Sequence, residues 1–399
     1  GIHVATSIGL ISFVVLAGTV AGTANVTAAS VLGSASGSTQ ITFLPGPPSG
    51  TFTLTPSPLS IPADGASTSI VTSGTIKDFY GNTVQNGTLI TVSTNKGTIT
   101  TADADAGTLG IQVATSNGVI TFTVRSDTTE GTATVTATSV QGSASGQATI
   151  TYTNVPPELN YPTETGYANG DALDPDSGIR STQYKYKIVY KDVNNNPPSY
   201  VRICIDSTPC AAMSLDTSAI DTSLRDGSYS NGEQYVYTIS TLTSGDHTYY
   251  FETSDGLVST KLPLTGSLNG HHVNYPPELS YSSEAGYGTD GVDPDTGNTT
   301  VTFKYKVVYK DLDNQAPSSI RVCIDAACYA MAVDTAASAI LRDGDYTNGE
   351  QYVYSSLLTS GTHNYYFDTS DGLEGVLLHQ SGNLSGPIVT STYTPVGTN

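Results

Sequence analysis

The chain has 399 residues, more than one domain normally contains, and 37% of them are hydrophobic while only 13% are charged. Its 40 glycines, 20 prolines and 25 tyrosines favour short strands joined by turns over helices. The formal charge of -20 excludes nucleic-acid binding, because such a chain repels a phosphate backbone. The sequence contains no apolar run long enough for a membrane-spanning helix, so we expect none.

The start of the chain is repeated further along. Residues 1–43 align without a gap on residues 110–152, and more than half of the aligned positions are identical. The later copy is the end of a longer unit that begins near Phe52. We therefore expect a partial module at residues 1–45, which we call the half module, and a complete second module at 46–153.

A different repeat fills the rest of the chain. Residues 156–257 and 276–373 share the runs PPEL, DPD, VYKD, NGEQYVY and TSDGL in the same order. A pair of prolines opens each copy, and proline favours an extended, semi-rigid linker. We expect a third module at 154–273 and a fourth at 274–399.

Within each module the hydrophobic pattern has a period of two. Ile120, Phe122 and Val124, for example, alternate with Thr121 and Thr123. Such runs are short and end at Asn-Gly, Asp-Gly or proline, which is typical of antiparallel sandwiches. The pattern predicts an all-β fold of tandem immunoglobulin-like antiparallel β-sandwiches, with a partial sandwich at the N-terminus.

Several motifs of the second module are those of a known family. The runs Ala63–Ala66 (ADGA), Lys77–Val84 (KDFYGNTV) and Gly131–Val135 (GTATV) resemble the bacterial immunoglobulin-like domains of invasin and intimin. The third and fourth modules, through DPDxG, YKDxxN and YYFxxSDG, are similar to tandem sandwich repeats of prokaryotic surface and S-layer-type proteins. Both resemblances imply a stalk or structural element of the cell surface without catalytic activity.

The four cysteines form two close pairs, and each pair brackets a turn between strand-like runs. We expect local disulfides, Cys204 with Cys210 and Cys323 with Cys328, because the pairs occupy matching positions of the repeat. A loop this small contributes ~2 kcal/mol on the chain-entropy estimate. Disulfides persist in oxidising compartments, so the pairs indicate an extracellular protein at the cell surface. Four reduced, buried thiols are the alternative; a zinc site fits the spacing less well.

Oxygen-rich loops of the third and fourth modules favour calcium, which binds carboxylate, amide and carbonyl oxygens. The D-P-D runs and the D-x-N-N and D-x-D-N runs are partly similar to the interdomain calcium linkers of cadherins. The predicted ligands are Asp174, Asp176, Asp192, Asn194, Asp293, Asp295, Asp311 and Asp313. Alternatively, these side chains form Asx-turns and tolerate left-handed backbone.

We expect no enzyme. Asp176–Gly178 and Asp295–Gly297 match the triplet of aspartic proteases, but they occupy equivalent positions of tandem copies and cannot share a proton. No metalloprotease or nucleotide-binding motif is present. N-x-Ser/Thr sequons begin at Asn25, Asn86, Asn298 and Asn383, although a chain rich in Ser and Thr also contains such tripeptides by chance.

Compared with its complete copy, the half module is more apolar on one face. Its inward residues Ile11, Phe13 and Val15 are those of the copy, whereas the outward Arg125, Asp127 and Glu130 are replaced by Leu16, Gly18 and Ala21. A strand that is apolar on both faces is normally covered on both. The predicted interface residues are Ile8, Leu10, Ile11, Phe13, Val14, Val15, Leu16 and Val20.

Two functions fit this pattern. In the first, the chain is a structural subunit of an extracellular filament, its partners are further copies, and the half module is the assembly surface. In the second, it is a stalk segment of a larger monomeric adhesin or S-layer-type protein that contacts a host or neighbouring cell. Carbohydrate binding is a third function, supported only by the many tyrosines.

Overall fold

The computed structural model describes residues 1–167, 170–206, 209–379 and 383–392. The half module contains one antiparallel hairpin, β1 (Gly22–Ala29) with β2 (Ser36–Phe43). Within the described residues, no helix is both long and apolar enough to cross a membrane.

The second module is a sandwich of two sheets. Its strands are β3 (Leu54–Ser57), β4 (Ser60–Pro62), β5 (Thr68–Ser73), β6 (Leu89–Thr94), β7 (Thr98–Ile99), β8 (Ile111–Ala114), β9 (Thr121–Arg125), β10 (Gly131–Ser139) and β11 (Ser145–Thr153). One sheet has the order β4-β11-β10-β6-β8 and the other β3-β5-β9-β7. Alternate residues of β5 and β9 face the core, as the period of two predicts.

The third module has the same two-layer plan with a different strand order. Its strands are β12 (Glu158–Asn160), β13 (Leu173–Asp174), β14 (Ser177–Gly178), β15 (Tyr184–Lys191), β16 (Tyr200–Ile205), β17 (Ala211–Ala212), β18 (Ser214–Leu215), β19 (Glu233–Ile239), β20 (Gly245–Ser254), β21 (Ser259–Leu262) and β22 (Leu268–Val273). The sheets have the orders β12-β15-β19-β18 and β14-β22-β20-β16-β17. A 3₁₀ helix, Thr222–Arg225, precedes β19.

The fourth module repeats the third, sheet for sheet. Its strands are β23 (Glu278–Tyr281), β24 (Val292–Asp293), β25 (Thr296–Asn298), β26 (Thr302–Lys310), β27 (Ser319–Ile324), β28 (Ala327–Ala330), β29 (Ala332–Val333), β30 (Glu350–Leu357), β31 (Gly361–Ser370), β32 (Gly375–Leu378) and β33 (Leu384–Thr390). The sheets are β23-β26-β30-β29 and β25-β33-β31-β27-β28, and a 3₁₀ helix spans Ala339–Leu341. The predicted all-β class of tandem sandwiches is confirmed.

Tyrosine fills much of the interior of the third and fourth modules. Side chains exposed by less than 2% include Tyr184, Tyr186, Tyr190, Tyr249, Tyr305, Tyr309 and Tyr365. A buried ring contributes a large apolar area, and some of the hydroxyls are hydrogen-bonded: that of Tyr365 donates to the carbonyl of Asp290 at 3.1 Å. These core positions account for many of the tyrosines and count against a carbohydrate-binding face.

The half module reproduces part of the second module's hydrogen-bond register. Gly22 pairs with Phe43 as Gly131 pairs with Tyr152, at the corresponding end of the hairpin. In the second module, however, β10 also pairs with β6, and β9 pairs with β5 and β7. Among the described residues, β1 and β2 pair only with each other. The expected partial sandwich is therefore reduced to one hairpin, because no other strand of the described residues pairs with β1 or β2.

Candidate functional site: the half module and the module junctions

The inward residues of the half module are exposed. Ile11, Phe13 and Val15 are 43%, 46% and 38% exposed, whereas their equivalents Ile120, Phe122 and Val124 in the second module are at most 1% exposed. The difference arises because β9 lies between β5 and β7 over a packed core, while residues 11–16 pair with no strand among the described residues. These three side chains are of the apolar types that fill the core of the second module, but in the half module they are not packed in a core.

The outward residues of the half module are also exposed. Ile8 and Leu16 are 99% and 86% exposed, and the predicted set is completed by Leu10, Val14 and Val20, each at least 75% exposed. In the second module the equivalents of Ile8, Val14, Leu16 and Val20 are polar: Asn117, Thr123, Arg125 and Thr129. In the same region Asp127 lies 3.3 Å from the ammonium of Lys96. The half module therefore presents apolar side chains in both directions.

An asparagine connects the half module to the second module. The Nδ2 of Asn82 donates to the carbonyl of Thr19 at 2.9 Å, and its Oδ1 accepts from the backbone amide of Ala21 at 3.0 Å. Asp78 holds this side chain, accepting from Nδ2 of Asn82 at 2.8 Å. Hydrogen bonds, above all the one from the Asn82 side chain, lower the pKa of Asp78 to about 2. The carboxylate therefore stays ionised and accepts these bonds.

The junction between the second and third modules is also held by an asparagine side chain, and this asparagine is one of the predicted calcium ligands. Asn194, 9% exposed, donates from Nδ2 to the carbonyl of Ala63 at 2.7 Å and to that of Thr128 at 2.9 Å. Its Oδ1 accepts from the amide of Val155 at 2.7 Å. Thr128 is the repeat equivalent of Thr19. One buried amide thus joins the second module, the linker and the third module.

At the junction between the third and fourth modules, the aspartate Asp313 occupies the position that Asn194 has in the preceding junction. Asp313 accepts from the amide of Tyr275 at 2.7 Å through Oδ2, and its Oδ1 lies 2.8 Å from Nε2 of His272. The other ring nitrogen, Nδ1, lies 2.7 Å from Asp246. The hydrogen bond with Asp246, together with Asp313, raises the pKa of His272, because the protonated ring donates to both carboxylates.

The eight predicted calcium ligands do not meet in one place. Asp174 pairs with Lys185 near the start of β15, whereas Asp192 follows the end of that strand, roughly 20 Å away at strand spacing. Asp293 and Asp311 are separated in the same way along β26. Asp176 and Asp295 are exposed next to β14 and β25.

The loops at Asp192 and Asp311 have the geometry of Asx-turns. Oδ1 of Asp192 accepts from the amides of Asn194 and Asn196 at 2.8 and 3.2 Å, and Asn195 has a left-handed φ of 63°. Burial raises the pKa of Asp192 despite these bonds. Backbone amides thus hold Oδ1 of Asp192 in place, and calcium at these loops stays a prediction.

Both predicted disulfides are present. Cys204 is bonded to Cys210 and Cys323 to Cys328, with Cα atoms 4.1 and 3.9 Å apart. Cys323 and Cys328 are direct cross-strand partners on β27 and β28. Among the described residues, the one group with metal-ligand proximity, Cys204, Cys210 and Glu252, consists of a disulfide and a neighbouring carboxylate. The disulfide removes the thiolates that a zinc site requires.

The third module contains a buried lysine network that the sequence did not indicate. Lys187, 8% exposed, lies 2.5 Å from Glu164 and 2.9 Å from Asp216. Gln234 donates to both carboxylates, at 3.0 and 2.8 Å. The fourth module repeats the network with Lys306, Glu284, Asp334 and Gln351. In each module the network connects the loop that contains the glutamate to the two strands that carry the lysine and the glutamine. Its role is therefore to position that loop.

Comparison with known proteins adds little beyond the fold. No family model matches the chain, and no curated protein matches it. A three-domain immunoglobulin fragment of titin is 13% identical, covers 87% of this chain and 97% of its own length, and gives a TM-score of 0.38. Invasin, described as a bacterial integrin-binding protein, is 13% identical over 85% of this chain and 60% of its own, with a TM-score of 0.36.

An intimin fragment is 14% identical over 55% of this chain and 97% of its own, with a TM-score of 0.19. Invasin and intimin are the proteins that the second module resembles in sequence. TM-scores this low support no argument about function. The fold class is established instead by the arrangement of the sheets in the structure.

Proposed function

We propose that this chain is a non-enzymatic structural subunit of an extracellular filament or cell-surface appendage, with the half module as its assembly surface. The observation that carries the proposal is the exposure of Ile11, Phe13 and Val15, whose equivalents form the core of the second module. A contiguous exposed apolar surface marks an interaction site or an aggregation hazard. Contact with a neighbouring subunit covers these side chains and removes the aggregation hazard.

A second copy of the chain is the partner that fits best. Strands β1 and β2 each have one unpaired edge, and a strand edge recruits another strand through backbone hydrogen bonds. The outward apolar row, which includes Leu16 and Val14, offers a further contact across the hairpin. The two disulfides support an oxidising, extracellular location.

The register of the hairpin favours a second candidate. Because β1 and β2 pair as β10 and β11 do, strands from a longer chain could complete the half module as an ordinary sandwich. The protein would then be a stalk segment of a larger monomeric surface adhesin or S-layer-type protein. The replacement of the polar outward row by apolar residues is better explained by the filament.

Light scattering coupled to size-exclusion chromatography tests the proposal. The wild-type chain is expected to elute as assemblies, whereas Leu16→Arg with Ala21→Glu is expected to elute as a monomer with unchanged melting of the complete modules. Leu257→Arg with Leu264→Glu is the matched control, since it adds the same charges at exposed positions of the third module. Assembly that survives the first pair of changes contradicts the proposal, and a monomeric wild type favours the stalk.

A further inference from the structure

Residues 226–233, between the 3₁₀ helix and β19, contain two neighbouring carboxylates, of which Glu233 is buried and Asp226 is exposed. Glu233 is 1% exposed, and its Oε1 accepts from the amide of Gly227 at 2.5 Å. Its Oε2 is buried and has no hydrogen-bond partner. The carboxylate of Asp226 lies beside it, and burial together with this second negative charge raises the pKa of Glu233.

No side-chain cation balances this pair. Across the described parts of the chain, neither Asp226 nor Glu233 forms an ion pair. The neighbouring Arg225 donates its Nη1 to the carbonyl of Thr217 at 2.9 Å. A buried carboxylate is costly when nothing compensates its charge.

The same loop contains other side chains with oxygen atoms. Asn231 donates to Oδ2 of Asp226 at 3.1 Å, which places its amide group beside the carboxylate. The hydroxyls of Ser228 and Ser230 lie 3.0 Å apart within the loop. Carboxylate, amide, hydroxyl and backbone oxygens are the donors that calcium prefers.

The fourth module repeats the arrangement at residues 343–350. Glu350 is 2% exposed, and its Oε1 accepts from the amide of Gly344 at 2.7 Å. Asn348 donates to Oδ2 of Asp343 at 3.3 Å, and the carboxylates of Asp343 and Glu350 are again neighbours. The spacing D-G-x-x-x-N-G-E is identical in the two loops. The fourth-module loop adds one more carboxylate, Asp345.

We propose that each loop binds one calcium ion, held by Asp226 and Glu233 in the third module and by Asp343 and Glu350 in the fourth. The ion supplies a positive charge beside the buried glutamate of each loop and takes the unpartnered oxygen of Glu233 as a ligand. These loops differ from the eight ligands predicted from the sequence. Calcium suits them better than magnesium, which keeps more of its water and demands stricter geometry.

The proposed site is connected to a module junction. The carbonyl of Tyr229 accepts from the amide of Asp192 at 2.8 Å, and Oδ1 of Asn195 accepts from the amide of Ser230 at 3.2 Å. Asp192 in turn orders Asn194, which contacts the second module. Ion binding at 226–233 therefore stabilises the loop that forms the junction.

Isothermal titration of the chelator-treated whole chain with calcium chloride tests the proposal, together with melting in calcium and in chelator. We expect two ions bound per chain and a higher Tm in calcium. Glu233→Gln with Glu350→Gln is expected to abolish both effects without lowering the Tm in chelator, because it removes unpaired buried charges. The control, Asp174→Asn with Asp293→Asn, changes two of the sequence-predicted ligands and is expected to bind as wild type does.

Four outcomes overturn the proposal. A wild-type chain that neither binds calcium nor melts higher in it indicates that the carboxylates share a proton instead. Calcium binding that survives the two Glu→Gln changes places the ion elsewhere, and loss of binding in the control variant places it at the D-P-D loops. Equal binding of magnesium chloride identifies a general divalent site and contradicts the calcium assignment.

Discussion

Lys187 shows how single polar residues stabilise the third and fourth modules. Replacing it with methionine leaves Glu164 and Asp216 as unpaired, largely buried carboxylates. Removing one partner of a buried ion pair costs about 3 to 5 kcal/mol. Lys185→Met, on the exposed face of the same strand, is expected to change stability by less than about 0.5 kcal/mol. Calorimetry of the third-module transition separates the two variants; equal effects would show that the network is not structural.

His271 gives the third module a pH dependence that the fourth lacks. Its ring is buried, stacks on Tyr184 at a centroid distance of 3.8 Å, and has a pKa lowered to about 4, mainly by burial. The unfolded chain therefore binds more protons than the folded chain between pH 6.5 and pH 4, so stability falls as the pH falls through this range. The equivalent residue of the fourth module is Pro387.

We expect His271→Phe to remove this part of the pH dependence, worth on the order of 2 kcal/mol at pH 4. Unfolding of the wild type and the variant by urea at pH 7 and at pH 4 measures the difference. The variant should gain relative stability at the lower pH. A difference between the two proteins that does not change with pH would show that the histidine is not held neutral.

The residues that could be predicted from the sequence are those whose environment is local. Ile120 and Val124 face the core because the period of two dictates it, and Cys323 pairs with Cys328 because the two lie opposite each other on neighbouring strands. Lys187 could not be predicted as buried, because its partners Glu164 and Asp216 lie far from it in sequence and a lysine on a strand is normally exposed. The occurrence of the same four residue types in both repeats was the available signal.

At the scale of elements, Asn194 is expected to fix the junction between the second and third modules. Asn194→Leu leaves the carbonyls of Ala63 and Thr128 and the amide of Val155 without their partner. Each unsatisfied group costs about 1 to 3 kcal/mol if it stays buried, so the junction should open instead. Hydrogen exchange at Val155 is expected to be faster by at least tenfold.

Asn160→Leu is the control for the junction, since Asn160 is an exposed asparagine on β12 of the same module. It should leave exchange at Val155 unchanged. Unaltered exchange in the Asn194 variant would show that packing alone holds the two modules together.

The sequence predicted oxygen-rich loops at the junctions and left two interpretations of their chemistry open, calcium binding and Asx-turns. A D-x-N run is compatible with cation ligation and with an Asx-turn, and the choice depends on which backbone amides lie nearby. For Asp192 these are the amides of Asn194 and Asn196, which only the folded loop brings to its carboxylate. The buried partner of Asp226 could not be predicted either, because the burial of Glu233 depends on how the whole sandwich packs.

For the whole molecule, the boundaries at residues 45, 153 and 273 stay predictions. The half module is the part whose surface differs most from that of a finished domain. Its exposed residues, Ile8 and Phe13 among them, are the ones that a neighbouring subunit would cover.

Negative-stain electron microscopy of the purified chain over a concentration series tests this account most directly. If the half module is an assembly surface, filaments should appear and lengthen as the concentration rises, because strand addition at the edges of β1 and β2 depends on encounter between copies. Separate particles of single-chain size at every concentration would contradict the account.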